Sequence, residues 1–370
     1  MITRNPFLIK GYRGPEFFCD RVLETRKIVA AVENGRDVTL IAPRRYGKTG
    51  LIHNVFNQLS ESYVVVYIDI YSTKCLADFV RLFSSAVVGA LDSRMEKLGK
   101  DVWAFFKSCR PTVTPQDDGS AKFSFDVTAS SAALTLDEVF AYLKARKREC
   151  VIAIDEFQQV REYPEQGVEA LLRSYIQFVE GAHFIFAGSK KHMMEEMFAL
   201  PRGPFYQSTQ LLSLGTISKD SYRAFAAGFF KQAGRSFEAS VFDGLYDRFA
   251  GVTWYVQAVL NRAWEAPKGL VSREQVDDCV DTLVVEGDLT YHDLLFSQGA
   301  AAQAVLVAVA KEGIVPEVSG RGFVLKYGLP SPSTIRSAVS DLLARDLLYR
   351  SEAGVSVYDK IFGVWLSRQM

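Results

Sequence analysis

The run Ala42-Pro-Arg-Arg-Tyr-Gly-Lys-Thr49, followed by Gly50, offers what a phosphate chain requires. Such a chain needs converging backbone N–H donors, a helix N-terminus, one flexible cation and one hydroxyl for a metal ion. Lys48 is placed to reach β- and γ-phosphates and Thr49 to hold Mg²⁺, while amides from Arg45 to Thr49 wrap the β-phosphate. The candidate nucleotide-binding stretch is therefore Ala42, Pro43, Arg44, Arg45, Tyr46, Gly47, Lys48, Thr49 and Gly50. Ala42 stands where such loops usually carry their first glycine, which requires a negative φ at that position.

Downstream, Cys150-Val-Ile-Ala-Ile-Asp155-Glu156 is an apolar strand that delivers two adjacent carboxylates at its carboxyl end. Parallel α/β sheets bind their ligands at that end. Asp155 is the expected second metal-holding residue, and Glu156 the group that polarises an attacking water. Ser189, with Lys190 beside it, ends the next strand, where a hydroxyl can touch a γ-phosphate, orient the water or cap a helix. Fast hydrolysis also needs an arginine to neutralise transition-state charge, and Arg44, Arg45, Arg173 and Arg202 are all candidates. The base-recognition motif of GTPases is not matched, since Thr73-Lys-Cys-Leu76 lacks its aspartate, so ATP is the expected nucleotide.

These residues need elements to position them. Val38-Ala42 predicts a strand, 48–59 a helix, and Tyr63-Ile70, β-branched and aromatic throughout, a strand buried on both faces of a parallel sheet. Helical patterns follow over 76–106. A β-hairpin insertion is expected at 111–130 around the turn Gln116-Asp-Asp-Gly119, and Thr135-Leu-Asp-Glu138 has the spacing of a helix-starting capping box. Another helix (167–179) leads to the strand His183-Ala187. Strands alternating with helices predict a doubly wound α/β sheet. Beyond Gly215 the strand signal disappears into helices near 222–230, 237–249 and 254–264. The tail reads helix, turn, helix (333–343) and two short strands around Ala353-Gly354, as a winged helix-turn-helix does.

Composition narrows the classes. Lysine plus arginine equals aspartate plus glutamate at 43 each, so no global positive field holds the chain on nucleic acid or anionic lipid. The five cysteines and four histidines are scattered, without disulfide or zinc spacing. No signal-peptide pattern and no long apolar run appears, so a cytoplasmic protein that does not span a membrane is expected. The run Lys144-Ala-Arg-Lys-Arg148 reads as a solvated helix face.

Taken together, Asn5-Pro-Phe7, Gly14-Pro-Glu-Phe-Phe-Cys-Asp-Arg21, Pro43-Thr49, Ile154-Asp-Glu156 and Phe186-Ala-Gly-Ser189 resemble the archaeal-type ATPases of the STAND branch of AAA+ P-loop NTPases, across most of the first 215 residues. The resemblance implies an AAA+-like core at 1–215, a helical lid at 216–292 and a winged helix at 293–370. It also implies that Asp20 and Arg21 lie near the adenine; read as residues alone, they make an equally good helix cap and exposed arginine. Two segments depart from the family pattern: Phe205-Tyr206 is followed by Gln207 and Ser208 instead of an arginine, and the lid segment Gly251-Val-Thr253 lacks a proline.

The function expected is an ATP-binding, slowly hydrolysing, Mg²⁺-dependent conformational switch acting on an unidentified protein partner. The alternatives are an ATP-dependent DNA-binding regulator and a nucleotide-bound scaffold without turnover. From Ser297 to Met370 there are eight Lys and Arg against six Asp and Glu, a thin footprint for DNA, for which Arg336, Arg345 and Arg350 are the candidate contacts.

Overall fold

A computed structural model of the chain describes residues 4–92, 105–109, 111–116, 121–146, 148–266 and 269–369. The chain forms two compact units, one of Lys10–Ile217 and one of Met1–Ile9 with Ser218–Met370.

The first unit contains α1 (Val22–Glu33), β1 (Val38–Ile41), α2 (Lys48–Gln58), β2 (Val64–Asp69), α3 (Leu76–Leu91), β3 (Pro111–Pro115), β4 (Ala121–Phe125), α4 (Ala132–Arg146), β5 (Cys150–Asp155), α5 (Val168–Ile176), β6 (Ala182–Gly188), α6 (Lys191–Phe198) and β7 (Gln210–Ser213). Five strands make a parallel sheet in the order β2-β5-β6-β1-β7. Its central strands are buried on both faces. Ile152, Ile154, Phe184 and Phe186 enter one apolar core, and Val151, Ala153, Ile185 and Ala187 the other, as alternation in a doubly covered strand dictates.

Several expectations change here. β2 is an edge strand: Val64, Val66 and Ile68 are buried, whereas Val65 is 38% exposed, so its apolar run does not signal burial on both faces. β7, only four residues long and half-exposed on the opposite edge, carries too short a pattern to predict a strand. Thr135 does not start a helix. It lies within α4, fully buried, and its hydroxyl bonds the Ser131 carbonyl (3.0 Å), while Glu138 accepts from the amides of Lys107 and Ser108 (2.9 Å each). The inserted hairpin forms as β3 paired with β4, and Phe125 packs on Phe106 (4.7 Å) within the main core. The expected turn residues Asp117 to Gly119, the helical stretch 93–104 and Lys147 of the basic run lie outside the described residues.

The second unit contains α7 (Lys219–Gln232), β8 (Ser236–Phe237), α8 (Ala239–Arg248), α9 (Thr253–Ala263), β9 (Leu270–Val271), α10 (Arg273–Glu286), α11 (Asp288–Phe296), α12 (Ala300–Glu312), α13 (Arg321–Tyr327), α14 (Pro332–Ala344), β10 (Leu348–Ser351), β11 (Gly354–Val357) and α15 (Lys360–Ser367). β10 and β11 pair as an antiparallel wing after α14. The last helix ties the tail to the helices before it: Trp365 Nε1 donates to Asp288 (2.7 Å) and Tyr291 packs on Phe362 (5.2 Å). Residues Met1–Ile9 cluster with this second unit. Phe7, 0% exposed, sits among Phe225, Phe229, Phe230 and Trp264, and the side chain of Asn261 donates to its carbonyl (2.6 Å). Among the described residues no helix is long and apolar enough to cross a membrane.

Asp37, at the amino end of β1, accepts from the Phe184 amide (2.8 Å), yet burial pushes its carboxyl up to about 6. Its folded pKa therefore lies above its unfolded value near 3.9. Between those values the folded chain binds more protons than the unfolded one, and stability falls as pH rises. Asp37→Asn, which keeps an acceptor oxygen, is expected to gain up to about 2 kcal/mol over wild type in denaturant unfolding at pH 7.5, allowing for partial exposure. The gain should fade as pH drops to about 4.

Candidate functional site

The carboxyl ends of β1, β5 and β6 are neighbours because β6 pairs with both of the others. Each contributes one part of the site. β1 runs into the loop preceding α2, whose first residues are Lys48 and Thr49. Ala42 is not among the residues with positive φ; the left-handed positions of the loop are Arg45 (φ 72°) and Gly47 (φ 90°). Alanine thus satisfies the backbone where a glycine was expected, and the conformational demand falls three and five residues later. A non-glycine residue at such a φ is uncommon.

Lys48 is 6% exposed, and its ammonium donates to the Ala42 carbonyl (3.1 Å) and lies 3.9 Å from Glu156 Oε1. Burial lowers its pKa, opposed by the carboxylates of Glu156 and Asp155. A desolvated cation with only partial pairing is suited to an anion, which would restore the solvation that burial removed. Asp155, buried, takes hydrogen bonds from Thr49 Oγ1 and the Tyr67 hydroxyl, both 2.8 Å from Oδ2, and from the Glu156 amide at 3.0 Å. Burial and Asp155 push the Tyr67 hydroxyl pKa up, so it remains a donor. Burial likewise raises the carboxyl of Asp69, at the end of β2.

Hydroxyl and carboxylate oxygens side by side suit a hard cation. Among the described residues no three His, Cys, Asp or Glu side chains group as a metal cage. Mg²⁺ bound alongside phosphates needs only one or two carboxylates, so Thr49 and Asp155 fit it.

Glu156 has φ 57°, a left-handed conformation that turns its side chain toward the end of β6. There Ser189 Oγ donates to Glu156 Oε2 (2.6 Å). The structure thus gathers Ala42, Lys48, Thr49, Asp155, Glu156 and Ser189. Arg21 is buried, with its guanidinium on the carbonyls of Gly215 (2.6 Å) and Tyr46 (3.5 Å) and on Glu24 (3.0 Å); Asp20 is exposed. Both adopt left-handed φ, and the residue preceding α1 is Arg21, without a side-chain cap, so a plain cap at Asp20 is not what forms. Of the candidate arginines, Arg44 lies over Tyr71 (5.1 Å). Arg202 pairs with Glu196 (4.0 Å), and Arg173 donates to the Pro204 carbonyl. Arg173 also lines a cavity of about 800 Å³ with Asp37, Ala182 and Gln210, at the amino ends of the strands and away from Lys48. Tyr67 and Gln158 were not singled out by the sequence; an aromatic in an apolar strand and a glutamine after Phe157 carry no periodic signal.

Residues 18–259 match the model of a family described as an ATPase domain predominantly from Archaea. The chain belongs to that family. This archaeal-type ATPase also matches, over residues 289–368, the family described as Probable winged helix domain. It is similar in fold to the Walker-type ATPase of Pyrococcus abyssi, at 15% identity and a TM-score of 0.64, covering 98% of this chain and 99% of that one. It is also similar to the ORC1 protein of Aeropyrum pernix, solved in complex with DNA, at 14% identity and a TM-score of 0.52, covering 95% and 93%. No protein of curated function matches it. The ATPase thus has an α/β fold with a parallel central sheet, and its C-terminal part is a winged helix.

Gly188 is the last residue of β6, next to Ser189. A Cβ there would lie 2.5 Å from Gln158 Oε1 and press on the Met194 sulfur. Gly188→Ala is expected to cost about 1–3 kcal/mol of unfolding free energy by overpacking, read from a denaturation curve.

Proposed function

We propose that this ATPase is a nucleotide-controlled conformational switch of the STAND branch, with slow, Mg²⁺-dependent turnover of ATP. The observation that carries the reading is Lys48, buried and desolvated at the mouth of the loop, with Thr49 bonded to Asp155 behind it. Lys48 binds the β- and γ-phosphates, and the amides from Arg45 to Thr49 wrap the β-phosphate. Thr49 and Asp155 hold Mg²⁺, which when bound neutralises charge on the phosphate oxygens. Glu156 accepts a proton from the attacking water, and Ser189 orients the water or meets the γ-phosphate. Arg21 steadies the loop through the Tyr46 carbonyl, on the side where the adenine is expected, with Asp20 beside it. The switch is a change in domain arrangement set by the bound nucleotide and felt by a protein partner. Five free thiols agree with a cytoplasmic setting.

A second reading, DNA binding by the winged helix, is favoured by one observation. Arg336 of α14 and Arg350 of the wing line one groove of about 350 Å³ with Ser319 and Ser340. Retention on duplex DNA that falls with salt and is lost in Arg336→Ala would support it.

The deciding measurement is ATP binding and phosphate release with and without Mg²⁺. Wild type is expected to bind and turn over ATP. Lys48→Ala should lose binding, and Glu156→Gln should bind with turnover reduced about 10²-fold or more. A wild type without affinity for ATP ends this reading.

A further inference from the structure

Gln158 lies two residues beyond Glu156 on the 3₁₀ turn Phe157–Glu162 and is 3% exposed. Its neighbour Phe157 is locked between Phe186 (4.6 Å) and Phe205 (5.6 Å), which fixes the backbone of the turn. The amide orientation is dictated by its surroundings. The Ser189 N–H can only donate, so Gln158 Oε1 faces it (3.2 Å), and Nε2 then points at Glu156 Oε2 (2.5 Å), which can only accept when ionised. Gly188 is bare where a Cβ would collide with that same Oε1.

Two donors therefore converge on Oε2 of Glu156, from Gln158 and from Ser189, leaving Oε1 on the Lys48 side. They are not equivalent. The Ser189 hydroxyl has one proton and serves either Glu156 or a phosphate oxygen; the Gln158 amide stays on Glu156 when Ser189 turns away. From this geometry we infer that Gln158 is a positioning residue for hydrolysis. It pins Oε2 so that Oε1 is the oxygen presented to water, and it carries the register between the ends of β5 and β6. The inference rests on the reading of Glu156 as the group that polarises water.

The test is steady-state Mg²⁺-ATP hydrolysis by the full chain, beside ATP affinity, for wild type, Glu156→Gln, Gln158→Met and Gln158→Glu. Gln158→Met keeps the bulk and removes the side-chain hydrogen bonds to Glu156, to the Ser189 amide and to Ser189 Oγ (3.4 Å). Its kcat should fall about 10- to 100-fold, with KM and ATP affinity unchanged within about twofold. Gln158→Glu should be equally slow at pH 8. Two carboxylates that close hold a proton between them, so its rate relative to wild type should rise several-fold toward pH 6, while the ratio for Gln158→Met stays flat. Wild-type kcat in Gln158→Met, or a parallel loss of ATP affinity, overturns the inference. Should Gln158→Met not fold, wild-type kcat in Gln158→Glu at pH 8 overturns it alone. Hydrolysis that depends on Glu156 but not on Gln158 removes only this inference. Wild type without hydrolysis removes the role of Glu156 and this one with it.

Discussion

Lys48 holds a positive charge that water barely reaches, and the local architecture answers to that charge. An isolated buried ammonium loses its proton or is paired. Here the pairing is partial: the ammonium donates to the Ala42 carbonyl at 3.1 Å and lies 3.9 Å from Glu156 Oε1. Holding that balance requires the end of β5 to stand at a fixed distance from the loop after β1. Placing β6 between them does this, and brings the hydroxyl of Ser189 into the same space. The aromatic packing of Phe157, Phe186, Phe198 and Phe205 behind the site keeps those strand ends from relaxing.

The sequence shows this half of the molecule well because its signals are local. A strand, a glycine-lysine-threonine and a helix follow one another without interruption. Asp155 and Glu156 close an apolar run whose residues alternate between two cores. What depended on distant contacts was not legible. Val65 looks like a core residue until β2 is seen to be an edge, and Thr135 resembles a cap until the helix is seen to begin three residues earlier, at Ala132. Gln158 becomes meaningful only when Ser189, far along the chain, comes within 3.2 Å.

The left-handed residues follow the same division. Arg45 and Glu156 are non-glycine positions with positive φ, and both lie just beyond the carboxyl ends of parallel strands, β1 and β5. Strain of roughly 1–3 kcal/mol at such positions persists only where surrounding contacts over-determine it. At Glu156 those contacts are visible, since the amide bonds Asp155 and the carboxylate meets Ser189 and Gln158.

The strap from Asn5 to Ile9 has a consequence in time. Phe7 and Asn261, joined by a hydrogen bond, are 254 residues apart, and the sheet unit is the intervening chain. At a synthesis rate of about 5–20 residues per second, roughly ten to fifty seconds separate the emergence of Phe7 from that of its aromatic neighbours. The sheet unit, with its own two cores, has the whole of that interval in which to fold, and the strap finds its place only after the chain that follows that unit has been made.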